Sequence, residues 1–249
     1  MKNAMSILTR QNAFPVSSAE PESPKSYLSI AILMTVIVIA GFWSPYFAPL
    51  VRGAAARPWI IHLHAAVFIG WMALLFAQIV FVYLGRIQLH RTIGNFGIAY
   101  GFLVVVTGVI VAFAAPILHL KSGEWQMERA AGFLLISLRA ITLFGGFFAA
   151  SIAYKRKPEI HKRLILLATI ALLFAPAGRM INPAHAPLPF FILWLSPVLI
   201  TIWRDAIAVR RIHPVFIVGL VVLLAGLTPV LISESEGYLD LGRSLLSIF

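Results

Sequence analysis

No cysteine occurs among the 249 residues. That excludes disulfides, cysteine-held iron–sulfur clusters and thiol catalysis. Carboxylates are scarce: nine Asp and Glu stand against twenty Lys and Arg, and charged residues make up only 12% of the chain. No HExxH, GxSxG or P-loop pattern is present, so metalloprotease, serine hydrolase and nucleotide-hydrolysing readings lack their reacting groups. No Asp or Glu falls deep within an apolar run, so a buried carboxylate relay of the kind that drives proton-coupled transport is not expected. The last apolar run has no lysine, which removes a retinal Schiff base from that position.

What the chain has instead is apolar length. Hydrophobic residues make up 60% of the sequence, against about half in soluble domains. They fall in continuous blocks of roughly 17–25 residues, enough to cross about 30 Å of hydrocarbon. Continuous runs disfavour a β-barrel, whose strands alternate. The expected fold is all-α: a polytopic bundle of seven transmembrane helices over residues 27–47, 62–84, 90–118, 130–154, 161–181, 188–207 and 213–232. The third is long enough that it must tilt or end early. Residues 1–26, rich in Ser, Pro and charge, read as a flexible cytoplasmic tail. No cleavable leader precedes the first run, which is expected to stay as a signal anchor. Residues 27–235 form the membrane domain, and residues 236–249 read as a short extracytoplasmic tail.

Seven crossings put the termini on opposite sides. Thirteen Lys and Arg fall on the N-terminal side and six on the other, with Arg139 inside the fourth run. Short loops with this bias place the N-terminus inside and the C-terminus outside. Trp43, Trp59, Trp203, Tyr83 and Tyr154 fall near the predicted interfaces, where amphipathic rings settle. The net charge of +11 is thereby explained by helix orientation, and nucleic acid is not an expected partner. The lipid bilayer is, together with a membrane-protein partner or a second copy of the chain.

Four groups of residues need an explanation inside such a bundle. His64, Trp71 and Gln78 are spaced by seven, so on a helix they share one stripe. A Gln amide facing lipid leaves its hydrogen-bonding positions unmet, so the stripe is expected to face inward, either as a seam between helices or as the wall of a cofactor or quinone site. Gly94, Gly97, Gly101 and Gly108 share a broad face that permits close helix approach. Arg139 sits within an apolar run, where insertion costs about 2.5–3.5 kcal/mol, and extends the buried polar set. Its candidate partners are Glu124, Glu128, Glu234, Glu236, carbonyls freed at Pro176 and Pro229, or an acidic ligand. Finally, His90, His161 and His213 each open a helix leaving the basic side, at similar depth. Facing imidazoles hold haem iron or a transition metal. His90 and His161 are the candidate axial pair for haem b, with Arg91 and Arg163 placed to meet propionates. His90, His161 and His213 are the candidate metal set. The plain alternative is that these histidines are interface residues.

The stretches HLHAAVFIGWMALLFAQ, GRIQLHRTIG, HKRLILLATIALLFAPAGRM and RDAIAVRRIHP resemble a widespread group of bacterial multi-pass membrane proteins marked by LHR-x-x-G and HKRL blocks. The resemblance covers about 60% of the chain, near residues 62–219. It implies a helical bundle in the bacterial inner membrane and brings no activity with it. A looser likeness is to di-haem transmembrane cytochromes of the ascorbate-reducible type. His90 and His161 match their inner ligand pair. The outer pair is lacking, because His64 has no histidine partner on the fourth helix, so one haem at most is implied. Three readings stand: a membrane binding or assembly role built on the polar seam, a single-haem b or quinone-linked redox protein, and a passive small-molecule transporter. Whether the chain is an enzyme stays open at this level.

Overall fold

The structure, a computed structural model, describes residues 24–53, 57–227 and 235–248. Most of the expected N-terminal tail, with Pro229 and Glu234, lies outside the described residues. The described residues contain helices and no strand. Five helical spans are long and apolar enough to cross a membrane, or six if one bent pair is a single span.

The helices are α1 (Pro24–Phe42), α2 (Ala48–Val51), α3 (Trp59–Tyr83), α4 (Ile87–Lys121), α5 (Met127–Ala153), α6 (Pro158–Leu172), α7 (Phe174–Met180), α8 (Pro187–Arg204), α9 (Pro214–Ala225) and α10 (Glu236–Leu246). A π-helical turn, Trp43–Phe47, joins α1 to α2, and a second, Asp205–Val209, extends α8. Proline opens α6, α8 and α9, where its missing N–H has no intrahelical partner to lose. Gly85 and Gly123 end α3 and α4 at φ 69° and 72°, the left-handed conformation that closes a helix most cheaply with glycine.

α3, α4, α5 and α6 pack as sequential neighbours; α1 lies on α3 and α7, and α9 on α6. The main core gathers Trp71, Phe144, Phe148, Leu167 and Trp194. Trp71 meets Phe144 and Phe148 edge-on, with ring centroids 5.1 and 5.5 Å apart. Such pairs add about 0.5–1.5 kcal/mol each beyond their buried area. On α4, Gly101 and Gly108 receive Phe148 and Ile141 of α5, in space a Cβ would occupy. The outward faces stay apolar, with Phe96, Phe102, Ile192 and Val218 exposed, as a hydrocarbon solvent requires.

Four elements differ from the sequence expectation. The fifth run breaks into α6 and α7, bent by 43°. Pro176 is the cause: it offers no N–H to Leu172, and its ring collides with that carbonyl. Gly41 of α1 then packs against the Pro176 backbone. α4 runs continuously over 35 residues despite Pro116 near its end, a length of about 50 Å at 1.5 Å per residue. The segment read as an outer tail is the docked helix α10. Tyr238, Gly242 and Leu246, spaced by four, form its buried face, and Leu246 joins a satellite core with Ala112, Ala130, Ala131 and Leu134. Gly242 lets the backbone of α10 sit directly on Ala131. α1, for its part, begins at Pro24 rather than at residue 27.

Candidate functional site

Along α3 the predicted stripe divides between two neighbours. Trp71 is buried and donates from Nε1 to Thr169 Oγ1 of α6 at 3.3 Å. His64 and Gln78 turn toward α4. The His64 ring lies 4.1 Å from that of Phe68 and faces the Thr107 backbone, and its Nδ1 is buried with no hydrogen-bond partner. Gln78 lies over Gly94, and both its Nε2 and Oε1 are buried and unpartnered. Tyr100, which sequence reasoning passed over, pins α4 to α3 by donating to the Val67 carbonyl at 3.0 Å.

The Gln78 end of this seam brings two of the three helix-opening histidines near each other. His90 is half-buried, approached by the Gln78 backbone and within electrostatic range of His161 and Arg91. Its Nδ1 has no hydrogen-bond partner. His161 uses Nδ1 to donate to the Ser151 carbonyl of α5 at 2.9 Å, which fixes the tautomer and leaves the Nε2 lone pair unspent. Arg91 is exposed. A shallow open groove lined by Gly85, Arg86, Ile87, Gln88, Leu89 and Thr92 lies at the adjoining α3–α4 turn. His213 does not join this pair. Its neighbours are Glu159, Lys162, Arg163 and Asp205, and its Nδ1 accepts from the Val215 N–H as the cap of α9. Among the described residues no three His, Asp or Glu side chains gather as a metal-ligand group, so the three-histidine metal set is corrected to a pair.

Arg163 is also corrected. Its guanidinium is 3% exposed and already engaged: Nη1 bonds Glu159 Oε2 at 2.7 Å, and Nη2 lies 3.5 Å from Asp205 Oδ2. Asp205 is 1% exposed and takes a second cation, Arg204, at 2.8 Å. Arg204 donates to Ser26 and stacks over Tyr27 of α1. Lys162 pairs with Glu159 at 2.8 Å and also lies over Tyr27. This clasp ties the start of α1, the start of α6 and the end of α8. It buries a carboxylate at the end of an apolar run, not deep within one. The signal was the Arg-Asp step at the end of an apolar run: an acid there is buried when a cation from another helix reaches it.

Arg139 belongs to neither α3 nor this clasp. It is 8% exposed, donates from Nη1 to the Gly226 carbonyl at 3.3 Å, and lies over the rings of Phe174 at 4.1 Å and Trp194 at 5.9 Å. The described glutamates suggested as its partners are engaged elsewhere. Glu124 bonds His119 at 2.7 Å, while Glu128 and Glu236 lie 3.1 and 3.5 Å from Arg243. Hydrogen bonds that Arg243 donates to the Asp240 and Glu128 carboxylates raise its pKa above its ordinary value. The polar set read from sequence therefore separates into an α3 seam and a distinct cation on α5. No family model, curated protein or solved structure matches the chain.

Proposed function

We propose that this protein is a membrane-embedded binding protein of the bacterial cytoplasmic membrane, crossing it seven times with its N-terminus inside, that takes a small ligand between Gln78, His90 and His161. The Lys and Arg bias supports the orientation. So does the gathering of the α1 start, the α6 start and the α8 end in one clasp, with α10 lying against the opposite end of α5. The observation that carries the binding role is the set of open valences at one place: both amide atoms of Gln78 and Nδ1 of His90, buried without partners. Each unsatisfied buried group costs about 1–3 kcal/mol. A ligand that both accepts and donates removes that cost. An amide N–H₂ beside imidazole lone pairs suits the carbonyl and hydroxyl oxygens of a quinone-type ring.

A second reading has its own support. A histidine that ligates iron commonly spends its other nitrogen on a backbone carbonyl, as His161 does on Ser151, and His90 lies within electrostatic range of it. A single haem b between the two is that reading. Nothing in the geometry favours passive transport over either.

One purification separates them. Protein from haem-replete cells is scanned in the visible range and extracted for quinones. A Soret band lost in both His90→Ala and His161→Ala establishes the haem. A colourless protein that carries a quinone, lost in Gln78→Leu, establishes the ring-binding role. A folded, colourless protein with nothing bound in either assay overturns both.

A further inference from the structure

The cluster at the other end of the bundle is independent of that reading. Arginine is permanently charged, and Arg139 is more than nine-tenths buried. It makes no ion pair among the described residues, and its one hydrogen bond is to the Gly226 carbonyl through Nη1. Nε and Nη2, one whole edge of the guanidinium, are buried with no acceptor. That edge presents parallel N–H groups at the spacing of two oxygens on one carboxylate or phosphate. Phe174 of α7 and Trp194 of α8 cover the guanidinium with their rings, so water is largely kept away and its charge is only partly offset. The fourth wall comes from α10. Tyr238 is buried, lies within electrostatic range of Arg139, and has a hydroxyl with no partner. Two sets of orphaned donors, from helices far apart in sequence, thus share one neighbourhood in which the described residues supply no acceptor for them.

We infer that Arg139 and Tyr238 form an oxyanion site at the outer end of the bundle, taking a carboxylate or phosphate group. The oxyanion accepts from Nε–H and Nη2–H of Arg139 and from the Tyr238 hydroxyl, and it supplies the negative charge that Glu124, Glu128 and Glu236 do not. α10 is held in place for this by Arg243, which bridges Glu128 of α5 and Asp240 of α10 itself at 3.1 and 2.8 Å, and by the seat of Gly242 on Ala131.

The test uses the full chain, purified in detergent and stripped of lipid. Its melting temperature is followed on adding inorganic phosphate or acetate against chloride at matched ionic strength, and on adding phosphatidylglycerol against phosphatidylcholine. A rise with the free ions identifies a soluble oxyanion. A rise with phosphatidylglycerol alone identifies an anionic headgroup. In either arm Arg139→Gln weakens binding by about 30-fold or more, the scale for removing one partner of a buried charge pair. Tyr238→Phe weakens it by about 10-fold, one hydrogen bond to a charged group. Should Arg139→Gln fail to fold, Tyr238→Phe carries the test alone. The site is overturned if neither arm stabilises the natural protein, or if the stabilisation survives undiminished in Tyr238→Phe and in any folded Arg139→Gln protein.

Discussion

His213 shows how one side chain makes stability depend on pH. It precedes α9 and caps it by accepting the Val215 N–H at 3.3 Å, which needs an unprotonated Nδ1. Burial, reinforced by the positive charge of Arg163, lowers its pKa from the ordinary 6.5. A base whose folded pKa lies below its unfolded value stabilises the fold fully above the unfolded value, and loses that contribution as pH falls through the folded one. Thermal melting should therefore fall between pH 8 and pH 5, and His213→Asn, which keeps a capping acceptor without a charge, should fall less. The cap is worth about 1 kcal/mol. Equal losses in the two proteins would remove His213 from the explanation. At this scale the sequence was half legible. The odd residues, His64, Gln78, Arg139 and the helix-opening histidines, announced themselves by being polar in apolar runs. Their partners did not: Trp71 and Thr169 are 98 positions apart, and no local pattern encodes such a pair.

Among the elements, five spans, or six with the bent pair, were legible because bilayer thickness dictates an apolar length and little else competes with it, whereas the described part of the seventh run is only the 12-residue α9. The departures came where one residue overrides length. Pro176 splits a run that reads as continuous, and the four-residue spacing of Tyr238, Gly242 and Leu246 makes a helix of what reads as a tail. The inner clasp was invisible for a further reason: Asp205 acquires its meaning only when Arg163 of α6 and Arg204 of α8 meet at it. Buried ion pairs add little net stability, yet removing one partner strands the other, at about 3–5 kcal/mol. Asp205→Asn should accordingly lower the unfolding midpoint by a large margin, whereas Glu159→Gln, whose side chain is 59% exposed, should lower it by much less. Denaturation in mixed micelles with increasing SDS measures both. A midpoint unchanged in Asp205→Asn would show that the clasp does not hold these helices together.

At the scale of the whole molecule, the two polar sites lie at opposite ends of one bundle, and their exposure to cytoplasm or exterior turns on the direction of threading. A C-terminal alkaline phosphatase fusion should be active and a C-terminal green fluorescent protein fusion dark, because phosphatase folds outside and the fluorophore matures inside. The reverse result would exchange the compartments that reach Gln78 and Arg139. Composition alone carried this level of description: the basic residues gather on one side irrespective of which contacts they later make.

Ser26 and Arg204, joined across the inner ends of α1 and α8, are 178 positions apart. At 5–20 residues per second a ribosome needs roughly 10–35 s to cover that distance. In that interval Arg163, once made, has Glu159 beside it but still waits for Asp205. Newly made chains should thus pass through a loosely assembled stage, vulnerable to membrane quality-control proteases, until the final third of the polypeptide arrives to fasten the first.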